Sequence, residues 1–444
     1  MTTSDLEKLP IGLITDIAKL LPFDDVKNLS CVSWVMRDVV LRLLFRTLSI
    51  SCPLAPDRDL NGFIVKYKEL ISRLHLYIKL EPNPDFGSEY DSDEDEWPES
   101  PSIWGPSSTD TVKNIVRGQT LSHINTLSVQ FDPDQFEEEG DWDDGNSVPD
   151  VYVYEFPEDW DKVRDREETF FWRAQYTEVW NEIAANPNIN KLKILNLLPK
   201  NSSAWLTTEW KTFLGKMEDL DISVFGAGNG ILEAHKMPGF YGFAATLPEV
   251  MMRHATKVTR LRLVAHKQGL LGSTSDMHQV PLPLEKRNLP SLRFLQLENI
   301  MLGHESLDFL KHHADTLQEL QLHSCMCHGD DVDPSWSDLW KLIREVTTTV
   351  TEVTYVQDKT PPITEHEKFD SIPTSEDSDA EKKIRKLLAE DKSLVLWRYV
   401  YVDDKYGFVS EYREENIEHF ERGNDQLEYN KLMEELTERR KKGL

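Results

Sequence analysis

The sequence predicts an α/β chain: a three-helix unit over residues 5–50, then an irregular strand–helix solenoid that carries acidic insertions. Three observations lead there. Residues 9–44 hold aliphatic residues at three- and four-residue steps, in runs broken by proline and serine. Further on, a pattern of aliphatic, two residues, aliphatic, one residue, aliphatic recurs nine times. The net charge of −28 is concentrated in two stretches: residues 81–100 contribute −9 and residues 132–168 contribute −13, leaving −6 for everything else. A chain of 444 residues exceeds what one compact core usually serves, and 39% hydrophobic with 10% aromatic residues excludes wholesale disorder.

The first helix follows Pro10, whose missing N–H has no partner at a helix start. Ile11, Ile14, Ile17, Ala18 and Leu21 then form one apolar face until Pro22 ends it. Asp24 is expected to cap a brief second helix reaching Leu29. Ser30 is expected to cap a third, in which Val32, Val35, Met36, Val39, Val40, Leu43 and Leu44 make an unusually broad stripe. So small a unit cannot hide all these aliphatic groups within itself. The excess must meet either the rest of the chain or a partner.

Leu9-Pro10, Ile14, Ile17, Leu20-Leu21, Asp25-Val26, Leu29-Ser30, Val32-Ser33 and Arg37 follow one another in the order and spacing of the F-box family, which this stretch resembles. One departure is Met36, where an aromatic often precedes the arginine; Trp34 sits two residues earlier. The resemblance implies docking onto a Skp-family adaptor and, through it, a cullin. The apolar excess places that contact on Leu9, Pro10, Ile14, Leu20, Leu29 and Val32. An ordinary three-helix cap on a solenoid would share the pattern.

The nine repeats read Phe45-Leu48-Ile50, Ile71-Leu74-Leu76, Ile124-Leu127-Val129, Leu192-Leu195-Leu197, Met217-Leu220-Ile222, Val258-Leu261-Leu263, Leu292-Leu295-Leu297, Leu317-Leu320-Leu322 and Val350-Val353-Tyr355. Each ends in apolar–polar alternation, the mark of a strand with one buried face. From last aliphatic to last aliphatic the steps are 26, 53, 68, 25, 41, 34, 25 and 33 residues. Steps of 25 and 26 match a leucine-rich repeat, 53 reads as two units, and 68 reads as one unit with an acidic insertion. Residues 169–185 and 305–316 are helix candidates between strands. The body resembles the leucine-rich-repeat family, though irregularly: the Asn or Cys expected three residues after the third aliphatic appears only as Cys325, against Asp132, Lys200, Phe225, His266 and Ile300 elsewhere. An α/β domain with an ordinary open sheet is the competing reading.

The expected organisation is therefore an F-box over 5–50 and a leucine-rich-repeat-like body over 51–356 with disordered acidic insertions at 81–112 and 132–168. An acidic Pro/Ser-rich linker over 357–392 and a C-terminal cap over 393–444 complete it, the cap containing a strand at 394–402 and a helix at 425–442. This order is similar to that of large F-box proteins of filamentous fungi.

No catalytic set emerges. Gly226-Ala227-Gly228-Asn229-Gly230 meets Ile231 where a dinucleotide loop needs glycine, so a plain loop is expected. His323, Cys325, Cys327 and His328 crowd six residues but lack the second ligand pair of a structural zinc site. No cofactor, metal or catalytic residue is expected. Acidity disfavours nucleic acid as partner. The four cysteines, the absence of a secretory signal and of a membrane-length apolar run, and Arg439-Arg440-Lys441-Lys442, a basic run of the kind that serves as a nuclear address, lead to a cytoplasmic and/or nuclear expectation. The resemblance then implies a substrate-recruiting, non-catalytic subunit of a cullin–RING ubiquitin ligase that holds an unidentified protein target. The alternative is an interaction scaffold outside any ligase.

Overall fold

The chain's computed structural model describes residues 9–55, 59–82, 99–105, 109–136, 157–226, 228, 232–272, 280–329, 333–357 and 378–442. It begins with three helices, α1 (Ile11–Lys19), α2 (Phe23–Leu29) and α3 (Trp34–Leu44). Pro10 and Pro22 occupy the cap positions of the first two, each with φ of −55° set by its ring. Asp24 therefore lies inside the first turn of α2 with Asp25, where both complement the positive helix end, and does not cap it. The cap of α3 is Ser33, whose Oγ accepts the Met36 N–H at 3.3 Å. Ser30, expected in that role, instead donates its hydroxyl to the Lys27 carbonyl and closes α2.

Nine strands then build one sheet: β1 (Thr47–Cys52), β2 (Arg73–Ile78), β3 (Thr126–Phe131), β4 (Lys191–Leu197), β5 (Asp219–Val224), β6 (Arg260–Val264), β7 (Phe294–Glu298), β9 (Glu319–His323) and β11 (Glu352–Val356). Strands β8 (Met301–Leu302), β10 (Met326–His328), β12 (Tyr399–Val402) and β13 (Val409–Glu411) form a second, four-stranded sheet. In the large sheet the spatial order is the chain order, and every pairing is parallel. Leu48, Leu74, Leu127, Leu192, Leu220, Leu261, Leu295, Leu320 and Val353 lie in one register row, so each aliphatic pattern supplies one strand.

Two spacings need correction. Leu192 stands in the row expected for Leu195, so the fourth repeat is framed by Ile189, Leu192 and Ile194. A bulge between Ile194 and Leu197 restores alternation, with Asn196 at φ +54°. The 53-residue step is not two units, because β2 pairs directly with β3 and the intervening chain is one long connection.

Those connections carry α4 (Leu60–Tyr67), α5 (Thr109–Val116), α6 (Trp160–Thr169), α7 (Phe171–Ala184), α8 (Thr208–Leu214), α9 (Pro238–Leu247), α10 (His304–His312) and α11 (Trp336–Val346). Ile64, Val112, Trp180, Phe213, Phe243, Phe309 and Trp340 from these helices join the inward strand residues in one continuous core. The alternate strand residues stay half-buried or exposed, apart from Phe294, which lies under the Arg260 guanidinium at 3.8 Å. Helices thus cover one face of the sheet.

The expected acidic insertions were drawn too long. Ile103 and Trp104 are fully buried, Glu178 accepts the Ile103 N–H at 2.9 Å, and Val112 sits inside α5. Residues 157–168 likewise fold, with Asp159 capping α6 and Val163 buried. The remainder, 83–98 and 137–156, lies outside the described residues. So does 358–377 of the expected linker, but α12 (Asp379–Glu390) occupies its end, started by a Ser378–Glu381 capping box. Strand β12 begins at Tyr399, later than Leu394. The chain closes with α13 (Arg413–Arg422) and α14 (Asn424–Lys441). Arg439 of α14 is 7% exposed and donates to the Val350 carbonyl at 3.1 Å and the Arg344 carbonyl at 2.8 Å, which fastens α14 beside the last strand. That arginine serves the fold. Among the described residues no helix is long and apolar enough to cross a membrane.

Candidate interaction surface

In a three-helix unit this small, each helix turns only a narrow stripe inward. Ile14 and Ala18, one turn apart on α1, are buried, as are Val26 of α2 and Met36 and Val40 of α3. Ala18, Val26 and Val40 form a small apolar cluster, with Leu29, Leu43 and Leu44 packed against it. The rest of the aliphatic surplus faces outward. Of the sixteen large hydrophobic residues exposed among the described residues, ten fall within residues 9–35: Leu9, Ile11, Leu13, Ile17, Leu20, Leu21, Phe23, Val32, Trp34 and Val35. Scattered exposed aliphatics are ordinary, but this density marks an interaction surface.

The six residues singled out from the sequence divide. Leu20 is 85% exposed at the end of α1 and Val32 is 64% exposed in the turn before α3. Leu9 and Pro10 are exposed ahead of α1. Leu29 is half-buried against the small cluster, and Ile14 is buried, so its side chain belongs to the interior of the trio and not to the outer surface. The contact set expected from the sequence lacks Ile11, Leu13, Ile17, Leu21, Phe23, Trp34 and Val35. Ile11, Ile17, Leu21 and Val35 belong to the apolar stripes read along the first and third helices, and the spacing of a helix cannot say which of two apolar stripes turns inward.

The other constellations hold structural posts. Cys325 donates its thiol to the Leu297 carbonyl at 3.4 Å, and burial pushes its pKa up to about 12. Two similar bonds were invisible to the expected spacing: Asn196 Nδ2 donates to the Phe131 carbonyl and Asn299 Nδ2 to the Ala265 carbonyl, both at 3.1 Å. Both asparagines hold positive φ, which Asn tolerates better than most residues. Among the described residues no three His, Cys, Asp or Glu side chains converge as metal ligands. Residues 227 and 229–231 of the glycine loop lie outside the described residues.

One charged cluster was not anticipated. The Glu158 side chain, 7% exposed, meets Arg173 at 3.1 Å, Lys200 at 3.3 Å and Arg166 at 3.4 Å. Burial alone would raise the Glu158 carboxyl, but Arg173, Lys200 and Arg166 hold it below the usual range. Burial pulls the Lys200 ammonium down to about 7. A lysine so poised is a nucleophile elsewhere. Here the cavity beside it, lined by Glu158, Pro199, Asn201, Gly239 and Phe243, measures about 10 Å³, room for a single water. The cluster clasps α6 and α7 to the end of β4.

No protein-family model matches the chain, and no curated protein is found similar to it.

Proposed function

We propose that the chain is an F-box receptor: residues 5–50 bind a Skp-family adaptor and thereby a cullin, and the repeat body over 51–356 holds a protein target. The carrying observation is the concentration of ten exposed large hydrophobics within residues 9–35. Such a face is costly to leave in water, at roughly 25 cal/mol per Å² of apolar surface, and its covering supplies the drive for association. The nine-stranded sheet supports the second half of the reading. Its strands follow chain order in parallel, with helices on one side, which is the arrangement of a stacked strand–helix repeat rather than of a doubly wound sheet. The contribution of such a receptor is proximity, raising the local concentration of target lysines without breaking bonds itself. Cytoplasm and nucleus, where such ligases act, are the compartments this reading requires.

The test is co-purification with a Skp-type adaptor. Leu20→Asp with Val32→Asp puts two charges on exposed positions, so the melting temperature is expected to stay unchanged while adaptor recovery is lost. Full adaptor binding by a folded double variant overturns the proposal. Recovery of adaptor without cullin would favour a scaffold outside the ligase.

A further inference from the structure

Parallel sheets are normally covered on both faces, and among the described residues this one is covered on one. The outward residues are therefore presented to solvent in register rows, and their charges are ordered. Arg73 on β2 and Lys191 on β4 make the first end positive, whereas Glu319 and Glu352 on β9 and β11 make the last end negative. Between them the charges neutralise one another. Asp221 bonds Lys193 at 3.2 Å and Arg262 at 3.0 Å, and Arg262 reaches Glu298 at 2.6 Å. Asp219 stands in register between Lys191 and Arg260.

The ends differ from this middle. Arg73, Glu319 and Glu352 have no ion pair among the described residues. Glu319 and Glu352 are register neighbours on adjacent strands, a like-charge pairing that disfavours the free sheet. Its nearest help is the Gln321 amide, which donates to Glu319 at 2.7 Å.

Resting on the target-holding reading, we propose that the open sheet face docks a bipolar protein segment, with lysines or arginines over β9 and β11 and carboxylates over β2 and β4. From β2 to β11 the face spans seven strand steps, roughly 34 Å at the usual spacing. A helix of about 20 residues, close to 30 Å long, matches that span. Charge order then selects the target and its direction on the sheet.

The experiment needs no adaptor, so its failure leaves the adaptor reading untouched. A fluorescent 20-residue helical peptide, lysine-rich in one half and glutamate-rich in the other, is titrated against the full chain at low salt. Glu319→Lys with Glu352→Lys at one end, and Arg73→Glu at the other, alter only solvent-facing positions, and the melting temperature verifies folding. Each variant is expected to weaken binding, the double variant by about tenfold, the effect of two exposed charge contacts reversed. An all-lysine peptide controls for collection of cations on the acidic chain. If neither variant changes the affinity of the bipolar peptide, or only one does, the proposal is overturned.

Discussion

Glu158 shows how much a single carboxylate holds. Three cations converge on it, and without it Arg173, with a fully buried side chain, loses its acidic partner. Glu158→Gln is expected to cost about 3–5 kcal/mol at pH 7, the usual effect of breaking a buried pair from one side. The sign of the pH dependence follows from the lowered pKa. A carboxyl depressed in the folded state stabilises above its unfolded pKa, and that stabilisation is lost as pH falls through the folded value. The gap between wild type and variant should therefore be full at neutral pH and close in acid. Urea unfolding at several pH values measures it; a gap that is constant with pH would contradict the assignment. None of this cluster was legible in the sequence, because Glu158, Arg173 and Lys200 are separated along the chain and only the fold gathers them.

At the scale of elements, strands were legible and their ornaments were not. Nine aliphatic patterns announced nine strands because a half-buried strand forces alternation. The frame of β4 was misread because Leu192, Leu195 and Leu197 satisfy the pattern as well as Ile189, Leu192 and Ile194 do, and only the bulge decides between them. The strands β8 and β10, two and three residues long, are too short to carry a period. Asn196 is the residue the bulge depends on, since it combines positive φ with a bond to the Phe131 carbonyl. Asn196→Ala should lose both, costing about 1–3 kcal/mol, while Asn196→Gly loses only the bond and costs less. Thermal melts of the two variants test the order. Equal losses would place the energy in the hydrogen bond alone.

At the scale of the molecule, the helical trio and the sheet are unequal partners. The sheet and its helices share one continuous core, whereas the trio closes around Ala18, Val26 and Val40. Local opening should follow that contrast, and native-state amide exchange is expected to be faster in α1 and α2 than in β3 through β7. The sequence made the surplus of aliphatics visible but not its direction, and the structure turns it outward. The same exchange measurement, repeated with one equivalent of a purified Skp-type adaptor, tests the central claim most directly. The account predicts slowed exchange across residues 9–35 and unchanged exchange in the sheet. Unchanged exchange in residues 9–35, or protection confined to the strands, would contradict it.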